Sequence, residues 1–319
     1  MRKRELALLG VAAGTAAAVG AAAYATRRWA AAHDPTGGEP LRVPEGREVK
    51  VETADGAVLE ALVAGPDGAP TYVLSHCWTG DRRIWGPVAC RLVDAGNRVV
   101  LYHQRGHAGS VAGADGYTIE ALGDDVRAVL EQLDLREVVL AGHSMGGMSV
   151  MSFATRHEAV LADRVRRVVL VATAASQVGA GRGELVDRVA TKVLASRRVE
   201  RAIRHPRVGH VLVRGSVGPK PVLSHLQAVR DTFVATPAEA RAGFFTAMCA
   251  MDLTEGLREV RVPVTVVVGT HDQLTPVRSA RRIAECVTDA RLEVLDGLGH
   301  MLPIEAPDRI TEILLEDRS

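Results

Sequence analysis

The chain has 319 residues, 47% hydrophobic and 24% charged, with a formal net charge of +1. That is globular composition, long enough for one large α/β domain with an elaboration. It excludes a basic nucleic-acid binder, since there is no cationic excess, aromatics make up only 3%, and no base-stacking motif appears.

The N-terminus departs from this average. Arg2-Lys3-Arg4 precedes an uncharged run, Leu6 to Ala25, half of it alanine. Twenty helical residues span about 30 Å, roughly a bilayer core. So few leucines and valines make the drive to insert modest. Three readings compete for residues 1–30: a signal anchor retained in the membrane, a cleaved secretory signal ending near Ala23-Tyr24-Ala25, and an alanine-rich soluble helix. The first two put the protein at a membrane or outside it, with residues 6–25 as the associating segment. Arg27 and Arg28 offset the basic start, so charge orients the segment weakly. Residues 31–45 hold Asp34-Pro35, Gly37-Gly38, Pro40 and Pro44, which is linker composition. The folded domain is expected over 46–319.

Glu48 to Thr53 and Ala57 to Ala64 alternate around Asp55-Gly56, a hairpin signal. Thr71 to Ser75 is a buried strand that breaks at His76-Cys77-Trp78-Thr79-Gly80, and a helix follows to about Ala95. Asn97 to Tyr102 is the next strand, ending at His103-Gln104-Arg105-Gly106-His107. Thr118 to Leu133 carries Leu122, Val126, Val129, Leu130 and Leu133 at helical spacing. Val138 to Ala141 and Val165 to Ala172 are buried strands. So are Val262 to Gly269 and Leu292 to Leu295, with a helix from Pro276 to about Val287 between them and a last helix from near Pro303. Strands alternating with helices predict a mostly parallel, doubly wound sheet, with ligand loops at the strands' carboxyl ends.

Between about 174 and 261 the alternation stops. Leu185 to Leu194, Val222 to Phe233 and Pro237 to Met251 read as helices. They are expected to form a helical cap that both packs on the main domain and lines a pocket through Phe244, Phe245 and Met248, with Cys77 from below.

The strand at Val138 runs into Gly142-His143-Ser144-Met145-Gly146-Gly147 and then helical sequence. A strand turning sharply into a helix at a serine strains that serine and exposes its hydroxyl. The helix start aims free N–H groups at whatever binds there. A serine hydroxyl needs a base, and the base needs a third group to hold its tautomer. Asp272, in Gly269-Thr270-His271-Asp272, follows one strand; His300, in Gly297-Leu298-Gly299-His300, follows the last. Taken alone, Asp272 reads equally well as a turn carboxylate and His300 as a helix-start histidine. Their placement just past strands, with the strained serine, makes Ser144, Asp272 and His300 a candidate triad, with Asp296 as the rival acid. The four cysteines (Cys77, Cys90, Cys249, Cys286) are too scattered for a zinc site, a redox pair or a disulfide framework.

On these separated motifs the chain resembles the α/β-hydrolase family, in which the order is nucleophile, acid, histidine. The resemblance implies acyl transfer through Ser144. It also implies an oxyanion hole of two main-chain N–H groups, those of Met145 and Trp78. Two positions depart from the family pattern. Cys77 stands where a glycine is common, which would strain it if φ is positive there; as a nucleophile it has no elbow behind it. His103 opens a segment where relatives show an aspartate. His76 and His143 read as structural. The leading function is a serine esterase or lipase acting on a small-molecule or lipid ester, with no metal or organic cofactor. Perhydrolase (haloperoxidase-like), thioesterase, carbon–carbon hydrolase and acyltransferase activities use the same triad, and a non-catalytic binding protein is the outside alternative.

Overall fold

The computed structural model describes residues 41–176 and 190–316, together with 28, 30, 31, 33 and 34. The apolar run of residues 6–25, and with it the anchor and signal readings, lies outside the described residues. Among those described, no helix is long and apolar enough to cross a membrane.

Eight strands form one sheet. They are β1 (Arg47–Glu52), β2 (Val58–Ala64), β3 (Thr71–Ser75), β4 (Arg98–Tyr102), β5 (Val138–His143), β6 (Val165–Val171), β7 (Val264–Gly269) and β8 (Ala290–Leu295). The order is β1-β2-β4-β3-β5-β6-β7-β8. The hairpin β1–β2 and the β2–β4 pair are antiparallel, and every later pair is parallel. The hairpin turns at Gly56, whose φ of +83° suits a residue without Cβ. Strands β3, β5 and β7 are buried along their whole length, as near-continuous apolar runs demand in a sheet covered on both faces.

Helices supply that cover. α1 (Gly86–Asp94), with α11 (Pro307–Leu315), packs Val88, Leu92, Ile310 and Leu314 on one face. α2 (Ile119–Gln132), α3 (Met145–Arg156) and α9 (Val277–Cys286) cover the other. A short α4 (Glu158–Arg164) leads back into β6, and α10 (Leu302–Glu305) precedes α11. Pro307, which cannot continue a helix, splits the single last helix expected from sequence into these two. Strand order reverses at β3, with β4 on one side and β5 on the other. A crevice opens at such a switch point, beyond the carboxyl ends of the strands.

Between β6 and β7 lie α5 (Arg197–Arg204), α6 (Pro206–Val213), α7 (Leu223–Ala235) and α8 (Ala238–Ala250). The last two match the expected cap helices. Of the expected Leu185–Leu194 helix, the part before residue 190 lies outside the described residues. α5 and α6 were not anticipated, because Arg197–Arg204 is too charged to show an apolar stripe. Glu200 pairs with Arg204 at 2.7 Å within α5 and with the buried Arg241 of α8 at 3.3 Å. Arg241 also donates to the carbonyls of Phe233 (3.1 Å) and Thr236 (2.6 Å), which locks the α7–α8 corner.

Parts of the stretch read as a linker, and the residue just before it, pack on the folded domain. Ala30 is fully buried, and Leu41 and Val43 pack on the folded body. The Arg42 carbonyl passes so near Gly86 that a Cβ there would lie 2.0 Å from it.

Candidate active site

Ser144 follows β5 and opens α3 with φ 54° and ψ −117°. A non-glycine residue held there stores about 1–3 kcal/mol of strain. Its main chain is fully committed. The N–H donates to Val171 O at 2.9 Å, and the carbonyl accepts from Met148 N at 3.1 Å and Thr173 Oγ1 at 2.7 Å. Its side chain makes no cap bond to α3, and the residue is 8% exposed. The turn depends on two glycines: a Cβ on Gly142 would lie 2.3 Å from the Gly146 carbonyl, and one on Gly146 would lie 2.2 Å from Ser75 O. The start of α3 therefore abuts the exit of β3.

Asp272 sits in the loop after β7, buried. Oδ1 accepts from the N–H groups of Leu274 (2.9 Å) and Thr275 (2.8 Å). Oδ2 accepts from Thr275 Oγ1 (2.8 Å) and from His300 Nδ1 (2.8 Å). Burial pushes this carboxyl up, but the facing His300, in charge and hydrogen bond, together with Thr275 outweighs it and holds the group below the usual carboxylate range. A depressed carboxylate stabilises the fold above its unfolded value of about 3.9. That contribution is lost as pH falls through the lowered value, so the pairing stays intact near neutrality. The rival acid, Asp296, is exposed and accepts from Thr270 Oγ1 at 3.2 Å.

His300 follows β8. Its carbonyl meets His143 Nε2 at 2.8 Å, directly before Ser144, and the two imidazole rings lie 5.0 Å apart. Glu305 braces the same loop, accepting from Gly299 N at 2.9 Å, Met301 N at 2.8 Å and Gly218 N of the cap at 2.8 Å. Ser144, Asp272 and His300 thus stand on three loops at the carboxyl ends of β5, β7 and β8. Thr275, Glu305 and the bond from His143 were not read from sequence. An Asp-x-x-Thr turn is the only local signal, since the other partners are far apart along the chain.

Among the described residues, the N–H groups of Met145 and Trp78 have no intramolecular acceptor. The Trp78 loop is held from beneath. His76 donates from Nδ1 to Cys77 O at 2.8 Å and accepts at Nε2 from Gln104 N at 3.0 Å. Gln104 Nε2 returns a bond to His76 O at 2.5 Å. His107 accepts from Thr79 N at 3.1 Å. These bonds require neutral imidazoles. Burial, seconded by the His103 charge, pushes His76 down to about 4; burial and then His76 push His107 down to about 3. His103 is likewise pushed to about 4 by burial.

The strain expected at Cys77 falls instead on Thr79, with φ 56°. Cys77 is buried against Ile84 and Met301, and burial pushes its thiol up to about 12. In native protein at pH 8, iodoacetamide should leave Cys77 unmodified and ester turnover intact; peptide mass mapping before and after denaturation checks both.

The four residues expected to line a pocket differ in their packing. Phe244 and Met248 belong to the main core, with Phe244 stacked on His107 (5.6 Å) and edge-on to Tyr117 (5.3 Å). Cys77 is packed away as well. Phe245 alone of the four stays half-buried, 6.0 Å from the Trp78 ring. Phe233 of α7, not singled out from sequence, meets Trp78 edge-on at 6.1 Å. Adjacent residues on a helix point about 100° apart, so Phe244 and Phe245 face different ways.

The profile describing the alpha/beta hydrolase fold matches residues 70–307. A non-heme chloroperoxidase of Streptomyces lividans is 30% identical over 284 residues, covering 83% of this chain and 97% of that protein. A bifunctional esterase/perhydrolase of Acinetobacter calcoaceticus is 28% identical over 274 residues, covering 83% and 97%. Among solved structures, an esterase from Exiguobacterium antarcticum superposes with a TM-score of 0.75 at 21% identity, covering 84% of this chain and 98% of that one. A strained serine between β5 and α3, a carboxylate–histidine pair on the loops after β7 and β8, and a profile match over most of the domain agree: this chain belongs to the α/β-hydrolase fold family.

Proposed function

We propose that the protein is a serine hydrolase that cleaves carboxylic esters through Ser144, His300 and Asp272. The observation that carries this reading is the 2.8 Å bond from His300 Nδ1 to a buried Asp272, on loops flanking a strained serine with an uncommitted hydroxyl. Holding the proton on Nδ1 leaves Nε2 as the basic nitrogen. Nε2 takes the Ser144 proton as Oγ bonds to the acyl carbon. The carbonyl electron pair moves to oxygen, where the N–H groups of Met145 and Trp78 receive it. Collapse breaks the bond to the alcohol, which leaves with the proton from His300. Water then repeats the cycle on the acyl-enzyme and frees the acid.

A second reading, favoured by the names of the two relatives above, has hydrogen peroxide take the place of water. Attack on the acyl-enzyme then releases a peracid and free Ser144.

A panel of p-nitrophenyl esters of rising acyl length, run on the full chain, tests the proposal. Asp272→Asn should lower kcat about 10²- to 10⁴-fold, because the imidazole loses its tautomer-setting partner. Asp296→Asn should stay within about threefold of wild type, as an exposed residue bonded to Thr270. The reverse ranking would remove Asp272 from the triad.

A further inference from the structure

The cap helix α7 begins without a local cap. Its N-cap position is Val222, which has no side-chain acceptor, so the first N–H groups of the helix look elsewhere. The Ser224 N–H donates at 2.6 Å to Oδ2 of Asp34, 190 residues upstream. A carboxylate at the positive end of a helix is the favoured cap in both geometry and charge. Four residues before Asp34, Ala30 is fully buried in a cluster that crosses the seam between cap and main domain. Val213, Val217 and Leu226 enter this cluster from the cap side. Cys77, which precedes Trp78, and Met301, which follows His300, enter it from the main domain, and Leu41 packs on its edge.

We infer that Ala30 and Asp34 form a latch that positions α7 over the site and thereby sets how large an acyl group enters. The link runs through Phe233, near the far end of the same helix, which meets Trp78 edge-on at 6.1 Å. Releasing the helix start frees this contact at the mouth beside the oxyanion position. Asp34 and Ala30 touch no reacting atom; they are positioning residues. The cluster ties Ala30 to both loops that flank the reaction, and Asp34 holds the start of α7 beside it, so these two residues ahead of the hydrolase domain are part of its specificity. The selectivity half of this inference rests on the ester-hydrolase reading, while the positioning of α7 does not.

Two readouts test it on the full chain: hydrogen exchange in the peptide spanning Leu223–Ala235, and kcat/KM for p-nitrophenyl acetate against the decanoate. Asp34→Ala should speed exchange in α7 at least fivefold. It should raise the decanoate-to-acetate ratio about five- to tenfold, with acetate turnover within twofold of wild type. Asp34→Asn keeps an oxygen acceptor and should restore both values, which general loosening of the fold would not do. Ala30→Asp, which puts a carboxylate into the apolar cluster, should behave like Asp34→Ala. The latch is overturned if α7 exchange does not change in Asp34→Ala, or if both esters change alike. Faster α7 exchange in a protein that turns over no ester would keep the positioning role and sink the hydrolase reading.

Discussion

Replacing Ser144 by alanine should lower ester turnover by about four to six orders of magnitude, the loss seen when a triad nucleophile is removed. What survives should be catalysis by the Met145 and Trp78 N–H groups and by binding alone. The fold should not suffer. The Ser144 hydroxyl makes no bond to the main chain of α3, and the strained φ of 54° is enforced by main-chain bonds to Val171, Met148 and Thr173 that alanine retains. Rate and stability therefore separate: kcat collapses while the melting temperature stays within a few degrees. A fluorophosphonate probe should label wild type and not Ser144→Ala. Turnover within tenfold of wild type in the variant would refute the assignment. A folded wild type that neither labels nor turns over an ester would favour a binding protein built on the same fold.

The second large effect is on stability. Arg105, in the loop after β4, is almost fully buried between two carboxylates. It meets Asp125 at 2.6 and 2.8 Å, and Asp55 at 2.8 and 3.1 Å. Arg105→Ala would leave Asp125 buried beside Asp55 with no cation. Breaking one side of such a site costs about 3–5 kcal/mol, chiefly from the stranded charge. Urea unfolding should show that loss as a lower midpoint. Asp55→Asn, which leaves the Asp125 pair intact, should cost distinctly less. A change under about 1 kcal/mol in Arg105→Ala would mean the pocket relaxes or admits water. The same loop carries Gln104 and His107, which hold His76 and the Thr79 N–H on either side of Trp78. The buried Arg105 thus anchors the loop whose neighbouring residues support the segment around Trp78.

Much of this molecule is written in short-range pattern. The apolar runs of β3, β5 and β7, the glycines around Ser144, and the placement of Asp272 and His300 just past strands are properties of neighbouring residues. They follow from strand burial and turn sterics, which operate over a few positions. The fold class, and Ser144, Asp272 and His300 as candidates on strand-end loops, could therefore be named from the chain alone. The packing of the cap helices could not. Whether Phe244 or Phe245 faces Trp78 depends on how α8 is rotated, and Arg241 sets that by binding carbonyls at the α7–α8 corner. Nor could the bracing of His300 by Glu305, or the capping of Ser224 by Asp34, be seen in linear order. Each pairs groups whose partner is chosen by packing, because a buried N–H takes whichever acceptor the folded chain brings within reach. Asp34, Leu41 and Val43, which looked like linker by composition, became structural for that reason: glycines and prolines say how freely a segment bends, and say nothing of the N–H or the apolar cluster that a neighbouring side chain will meet.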